Sequence, residues 1–280
     1  MGWIVQEYSK AMRELATQVW DPRNLRTGGD DDLQAGGQIK CRIEWVYSKC
    51  SEHFQLQIGS PKLKLLDVGS CYNPFLRYDQ WFDITAVDLC PAPGCEDSVY
   101  QCDFLEVAVG EGLKARLDGR FRQLESLPRG HFDAVVFSFL LEYLPDQRQR
   151  LEVCRKAAEL LKVNGILYVI RPDSSSMNEA SSGLMKKLKV GMAMLGLKRI
   201  SFEKLTHMWC SAYKNLSEEE HNEFLRSKRF TNDLNKVAFS SEHELFAISQ
   251  DFKAIDLGDA GVDSKSEPFN VEMADELPFA

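Results

Sequence analysis

In Pro61-Lys-Leu-Lys-Leu-Leu-Asp-Val-Gly-Ser-Cys-Tyr-Asn-Pro-Phe75, the apolar residues Leu63, Leu65, Leu66 and Val68 stand between Pro61 and the turn residues Gly69-Ser70. A short apolar run with such bounds predicts a buried strand. Asn73-Pro74 behind the turn predicts a helix start, because a proline at the first helical position gives up only an N–H that has no partner there. Strand, acidic residue, glycine turn and helix together make the first βα unit of a nucleotide-binding α/β sheet. In such sheets the ligand sits at the carboxyl ends of the strands.

A dinucleotide site needs G-x-G-x-x-G, so that backbone and helix N-terminus can approach a pyrophosphate. Here only Gly69 is present, and Cys71 and Asn73 occupy places where further glycines would help. A pyrophosphate is therefore disfavoured. S-adenosylmethionine carries no phosphate but has an ammonium and a sulfonium, and Asp67 at the strand end is an apt partner for that cationic end. The loop alone would also suit an ordinary strand-to-helix turn. Two further acids strengthen the ligand reading. Asp88 closes the run Ile84-Thr-Ala-Val87 and follows Asp67 at the spacing where an acid meets ribose hydroxyls, with Leu89 next to it. Ser98-Val-Tyr-Gln-Cys-Asp-Phe104 reads as a third strand, at whose end Asp103 and Phe104 can meet an adenine edge through a carboxylate and a backbone N–H. Asp103 taken alone could equally be a loop cap.

The chain has 280 residues and a formal net charge of −8. No apolar run is long enough to span a bilayer, and Met1-Gly-Trp-Ile-Val-Gln-Glu lacks the marks of a signal peptide, so a cytoplasmic protein is expected. The eight cysteines include no C-x-x-C pair. Reduced thiols are expected, and Cys90, Cys95 and Cys102 do not make a structural zinc pattern, so no metal is assigned. Residues 216–280 hold fifteen acidic and six basic side chains, about −9, which leaves about +1 on the preceding 215 residues. Composition thus excludes a polyanion-binding surface in bulk.

Ile4, Tyr8, Met12, Leu15 and Val19 recur at helical spacing, as do Ile39, Ile43, Val46, Cys50 and Phe54. The stretch Asp21 to Gly37 between them reads as a mobile loop. Two helices cannot bury a core alone, so this element, residues 1–58, should lie on the sheet. Arg42 in Cys41-Arg-Ile-Glu-Trp45 then either clamps a ligand carboxylate or forms a surface ion pair. The sheet domain is assigned to residues 59–215. Residues 105–130 read as a variable connection, and Phe132 to Leu141 as a fourth strand with Ser138 and Phe139 in the ligand zone. A helix from Pro145-Asp146 should present Leu151, Cys154, Ala158 and Leu161 and end at Asn164-Gly165. Ile166 to Arg171 is a fifth strand. A helix follows from about Glu179 to Leu195, and Lys198–Lys204 and His207–Tyr213 form a closing hairpin. The expected architecture is α/β, Rossmann-like, with a seven-stranded, mostly parallel sheet and one reversed strand. Residues 216–280 are expected to form an acidic, partly disordered tail, largely disordered from about 240.

The set Leu65-Leu-Asp-Val-Gly69, Val87-Asp88, Cys102-Asp-Phe104, Phe132-Asp-Ala-Val-Val136 and Leu160-Leu-Lys-Val-Asn-Gly165 resembles a class I S-adenosylmethionine-dependent methyltransferase domain. More narrowly, Asp67-Val-Gly-Ser-Cys-Tyr-Asn-Pro-Phe75, Cys41 to Trp45, Arg171-Pro-Asp-Ser-Ser175, Lys204-Leu-Thr-His-Met208 and Gln250-Asp-Phe252 resemble the S-adenosylmethionine sensors of the TOR complex 1 nutrient pathway, relatives of ribosomal RNA adenine methyltransferases. The resemblance implies S-adenosylmethionine as ligand, with S-adenosylhomocysteine competing, and contacts at Arg42, Gly69, Asp88, Asp103, Phe104 and Ser138. Asp67, Ser70, Leu89 and Phe139 complete the candidate site. It also implies the GATOR and KICSTOR complexes as partners, bound when the ligand is scarce.

The alternative is an active methyltransferase, with RNA as an acceptor. Methyl transfer needs mainly positioning, so no catalytic residue is assigned. Ser138-Phe-Leu-Leu-Glu-Tyr143 stands where adenine N-methyltransferases resemble one another in an Asn/Asp-Pro-Pro-aromatic run. Glu142 and Tyr143 are expected as a solvated acid and a half-buried ring rather than as substrate contacts. Lys186, Lys187, Lys189, Lys198, Arg199 and Lys204 make the best case for RNA, and an ordinary soluble surface explains them equally well.

Overall fold

Strand β1 (Leu63–Val68) lies between β2 (Phe82–Asp88) and β7 (Phe132–Ser138), parallel to both, and its last four residues are buried. The computed structural model describes residues 10, 11, 13, 14, 41–173 and 178–252. The first amphipathic pattern, the loop after it, Ile39, part of the Arg171–Ser175 run and the last residues of the acidic segment lie largely or wholly outside these. Of the first pattern, four helical positions are described, and Arg13 donates to the Pro93 carbonyl.

The remaining strands are β3 (Tyr100–Gln101), β4 (Ala108–Gly110), β5 (Lys114–Asp118), β6 (Phe121–Pro128), β8 (Leu161–Pro172), β9 (Leu197–Leu205) and β10 (Met208–Asn215). Their order is β4-β6-β3-β2-β1-β7-β8-β10-β9, with β5 beside β6. The expected α/β class and mostly parallel sheet are present, but with ten strands among the described residues, and both β5 and β10 run antiparallel to their neighbours. Residues 105–130 are therefore not merely a connection. They hold a β-ribbon whose two-residue turn places Gly119 at φ 63, the conformation a hairpin asks of its first turn residue.

The crossover from β1 to β2 contains no α-helix, only a 3₁₀ turn over Pro74–Tyr78. The turn starts at Pro74, where the sequence places the helix start, and the chain returns to the sheet at Phe82. After β7 the chain leaves the sheet at Ser138, so Leu140 and Leu141 belong to the short helix α2 (Leu140–Tyr143) and not to a strand. Helix α3 (Gln147–Leu160) is capped by the Asp146 side chain and ends earlier than expected, because Leu161 already pairs with Phe132. Asn164 does adopt a left-handed conformation, φ 69, but inside β8. The buried face of α3 is Arg150, Val153, Cys154, Lys156, Ala157 and Leu160, a rotation from the expected one.

Helix α1 (Arg42–Phe54) covers one face of the sheet. Its Ile43, Trp45, Val46 and Cys50 are buried with Leu65, Val136, Tyr168 and Ile170. Full burial of an aliphatic side chain contributes about 1.5 to 3 kcal/mol, so α1 is a fixed layer of the domain. Trp45 donates to Glu203 at 3.0 Å, and the Cys50 thiol to the Tyr168 hydroxyl at 3.3 Å. The opposite face is covered by α3, α4 (Asn178–Met194), α5 (Glu218–Arg226), α6 (Lys228–Leu234) and two 3₁₀ turns, Glu242–Phe246 and Ser249–Phe252. Within the segment expected as an acidic, partly disordered tail, residues 216–252 carry these packed elements. Leu245, Phe246, Ala247 and Ile248 are buried against α3 and α4, a local apolar run that the acidic average conceals. All eight cysteines are free thiols. No helix among the described residues is long and apolar enough to cross a membrane.

Candidate functional site

The site grows out of the end of β1. Gly69 turns the chain with φ 76, and the amides of Gly69 and Ser70 both donate to the Val87 carbonyl, at 2.9 and 3.1 Å, which ties the loop to β2. A Cβ on Gly69 would stand 3.4 Å from Leu140 Cδ1, so α2 lies directly against this turn. Cys71 and Asn73 are also left-handed, at φ 57 and 59. The backbone thus follows the path a glycine-rich loop would take, although two of its three positive-φ positions carry side chains. Side chains at such positions cost roughly 1 to 2 kcal/mol, less for Asn. Asn73 is anchored by donating to the Ser98 carbonyl at 3.1 Å.

Asp88 holds the loop from below. One carboxylate oxygen accepts from the Cys71 amide at 2.9 Å and the other from the Cys90 amide at 2.8 Å. Burial raises its pKa against the pull of these two bonds. A carboxylate has about four lone-pair sites, so two remain for a ligand.

Asp67, Ser138 and Arg42 come together on the face covered by α1. Asp67 is 2% exposed and Arg42 8%. Burial pushes the Asp67 carboxyl up to about 6, although the Ser70 hydroxyl and the Arg42 charge both favour its ionised form, and nearby Asp88 raises it further. The Arg42 guanidinium lies 5.8 Å from the Phe139 ring centroid. Phe139 is itself left-handed, φ 60, and its amide donates to the Ile170 carbonyl at 2.9 Å. Three buried polar atoms here have no hydrogen-bond partner among the described residues: Arg42 Nε, Asp67 Oδ2 and Ser138 Oγ. A buried polar group left in this way costs on the order of 1 to 3 kcal/mol, more when charged. One donor cation, one acceptor anion and one hydroxyl on a single face make a complementary set for a zwitterionic amino-acid group. The surface ion pair considered for Arg42 is thus replaced by a buried position.

The structure does not bring every sequence candidate into this group. Asp103 is exposed and its Oδ1 caps its own loop, accepting from the Leu105 amide at 2.9 Å. The Phe104 ring packs into the other core, edge-on to Phe137 at 5.9 Å, which leaves its backbone as the only part near the strand ends. Leu89 is 64% exposed.

Two charged groups escape sequence reasoning. Glu142 is not solvated. Its side chain is 3% exposed and accepts from Arg171 Nε at 2.7 Å, while burial raises its pKa against the Arg171 charge. Lys156 donates to the carbonyls of Phe104, Leu105 and Val107, at 2.9, 2.6 and 2.9 Å, and so fixes the loop after β3. A cation on the apolar side of a helical pattern was the available signal for Lys156. None existed for Glu142, whose partner is 29 residues away.

Residues 42–244 match the family described as Methyltransferase domain. A zebrafish (Danio rerio) relative named S-adenosylmethionine sensor upstream of mTORC1 is 31% identical, over 90% of this chain and 68% of its own length. A Xenopus laevis relative of the same name is 39% identical, over 75% of this chain and 60% of its own. Among solved structures, the Burkholderia thailandensis 1,6-didemethyltoxoflavin-N1-methyltransferase with bound 1,6-didemethyltoxoflavin and S-adenosylhomocysteine is similar with a TM-score of 0.43 and 14% identity, over 75% of this chain and 90% of that one.

Proposed function

The chain belongs to the methyltransferase-domain family and to the family of the relatives named S-adenosylmethionine sensor upstream of mTORC1, and from that premise we propose that it binds S-adenosylmethionine and reports its abundance to that pathway. The observation that carries the reading is the buried, unpartnered trio Arg42 Nε, Asp67 Oδ2 and Ser138 Oγ. In this reading Arg42 takes the ligand's carboxylate and Asp67 its ammonium. Asp88 meets the ribose hydroxyls with the lone pairs its two backbone bonds leave free. Gly69 admits the ligand close to the backbone, Ser70 and Ser138 supply hydroxyls, and the adenine edge lies by Asp103, Leu89 and the Phe104 backbone. Phe139 sets the Arg42 guanidinium. When bound, S-adenosylmethionine supplies an activated methyl group, and S-adenosylhomocysteine competes for the same contacts.

The sensor role extends to GATOR and KICSTOR as partners, held when the ligand is scarce and released when it is abundant. The alternative acceptor, RNA, draws little support from the basic strip, where Lys189 is paired with Asp233 at 2.5 Å and Lys204 with Asp173 at 2.6 Å. Calorimetry against S-adenosylmethionine, S-adenosylhomocysteine and NAD tests the ligand, with binding expected for the first two only. Equal binding of NAD overturns the reading. Turnover of S-adenosylmethionine to S-adenosylhomocysteine with cellular RNA, without ligand-dependent release of a protein partner, moves the enzyme ahead of the sensor.

A further inference from the structure

Arg150, on α3, is 0% exposed and uses its whole guanidinium. Nε donates to the Leu144 carbonyl at 2.9 Å and Nη2 to that of Pro145 at 3.2 Å, which fixes the link between α2 and α3. On its other side, Nη1 donates to the Phe246 carbonyl at 2.8 Å, and Nη1 and Nη2 together grip Asp251 at 2.8 and 2.5 Å. Asp251 also accepts from Gln147 at 3.1 Å and from the Ile248 amide at 3.0 Å. A buried arginine is tolerable only while its charge is paired and its donors are satisfied. The clasp is therefore conditional, since undocking Asp251 leaves the Arg150 charge unpaired in the core, on the same guanidinium that holds the carbonyls at the end of α2.

The other end of α2 belongs to the ligand site. Leu140 abuts the Gly69 turn, Phe139 faces Arg42, and Glu142 pairs with Arg171 at the end of β8. Asp251, Arg150, Glu142 and Arg171 thus form an alternating chain of charges from the C-terminal turns to the carboxyl edge of the sheet, with Arg150 acting on Glu142 through space. The segment is seated by Leu245 and Phe246 against Gly191, where a Cβ would stand 2.8 Å from the Phe246 ring.

We propose that Arg150 is a positioning residue of the ligand site, and that the segment Glu242–Phe252 is a regulatory element whose docking is coupled to ligand binding. The inference rests on S-adenosylmethionine being the ligand. Coupling between two sites is reciprocal, so docking must strengthen ligand binding by the factor by which the ligand strengthens docking.

The test uses the full chain. Amide exchange of residues 245–251 is measured with and without saturating S-adenosylmethionine, and calorimetric affinity is measured for the wild type, Gly191→Ala and Arg150→Lys. Gly191→Ala crowds the seat without touching either charge or ligand. Arg150→Lys keeps the charge but cannot hold both carbonyls and both carboxylate oxygens. The expected result is roughly tenfold slower exchange in the wild type with ligand, and a loss of affinity of similar size in both variants. Normal ligand binding with unchanged exchange at 245–251 overturns the coupling alone. So does Gly191→Ala that exchanges faster there yet binds as tightly as the wild type. No calorimetric binding of S-adenosylmethionine to the wild type overturns the ligand reading, and the coupling with it.

Discussion

Asp67 carries opposite consequences for stability and for binding. Its folded-state pKa, about 6, lies above the ordinary carboxylate value, so the folded chain holds a proton that the unfolded chain has lost. The stability this proton represents is fully present below about pH 4 and is lost as pH rises to about 6, on the order of 3 kcal/mol in all. A cationic ligand requires the ionised form, so its affinity should change the other way. S-adenosylmethionine binding is expected to weaken about tenfold per pH unit below about 6, as Asp67 takes up its proton. Calorimetry from pH 5 to 8 reads this. A flat profile throughout would mean that Asp67 does not meet the cationic end. At this scale the sequence was a good guide to which residues converge and a poor one to what else they do. Asp67, Gly69 and Asp88 were legible as strand-end and turn residues, and Arg42 from its charge on a helix expected to lie on the sheet. That Asp88 also stitches Cys71 to Cys90 was not, because backbone acceptors leave no mark on residue type.

Among the elements, α1 is held by Ile43, Trp45, Val46 and Cys50, and none of these is Arg42. Arg42→Met should therefore leave α1 docked and the fold intact. It should weaken S-adenosylmethionine by roughly tenfold or more, the worth of a hydrogen bond to a charged group. In the wild type the ligand is expected to slow amide exchange across Arg42–Phe54, and in Arg42→Met that slowing should vanish. Slowing that survives the substitution would place the ligand's grip on α1 elsewhere. Long apolar strands such as β1, β7 and β8 were legible because burial on both faces forces an apolar run. The ribbon of β4, β5 and β6 was not, since β5 is exposed at every position and its residues satisfy no core pattern. Its turn, Gly119-Arg120 after Asp118, was the signal passed over. The helix expected after β1 is a 3₁₀ turn that starts at the expected Pro74.

For the molecule as a whole, the acidic segment is packed on the domain as far as it is described, through Phe252. Averaged charge masked Leu245-Phe246-Ala247-Ile248, and no local signal told that Asp251 would answer an arginine on α3. Ending the chain at residue 240 should lower stability by about 3 to 5 kcal/mol, the cost of leaving a buried charge unpaired, as read by urea unfolding of the two lengths. A loss below about 1 kcal/mol would show the segment to be an ornament of the fold. The brevity of the turn at Pro74–Tyr78 has a consequence of a different kind. Adenosine is a common handle in a cell, and ATP and NAD present it in large excess over a methyl donor. Under the proposed sensor role, a chain that answered to them would report energy charge or redox state instead. Among the described residues no long helix aims its positive end at the loop, and the Asp88 carboxylate at the loop's base disfavours a phosphate there. The expected outcome is that millimolar ATP leaves the S-adenosylmethionine titration unmoved, so that the reading stays true against a fluctuating background of nucleotides.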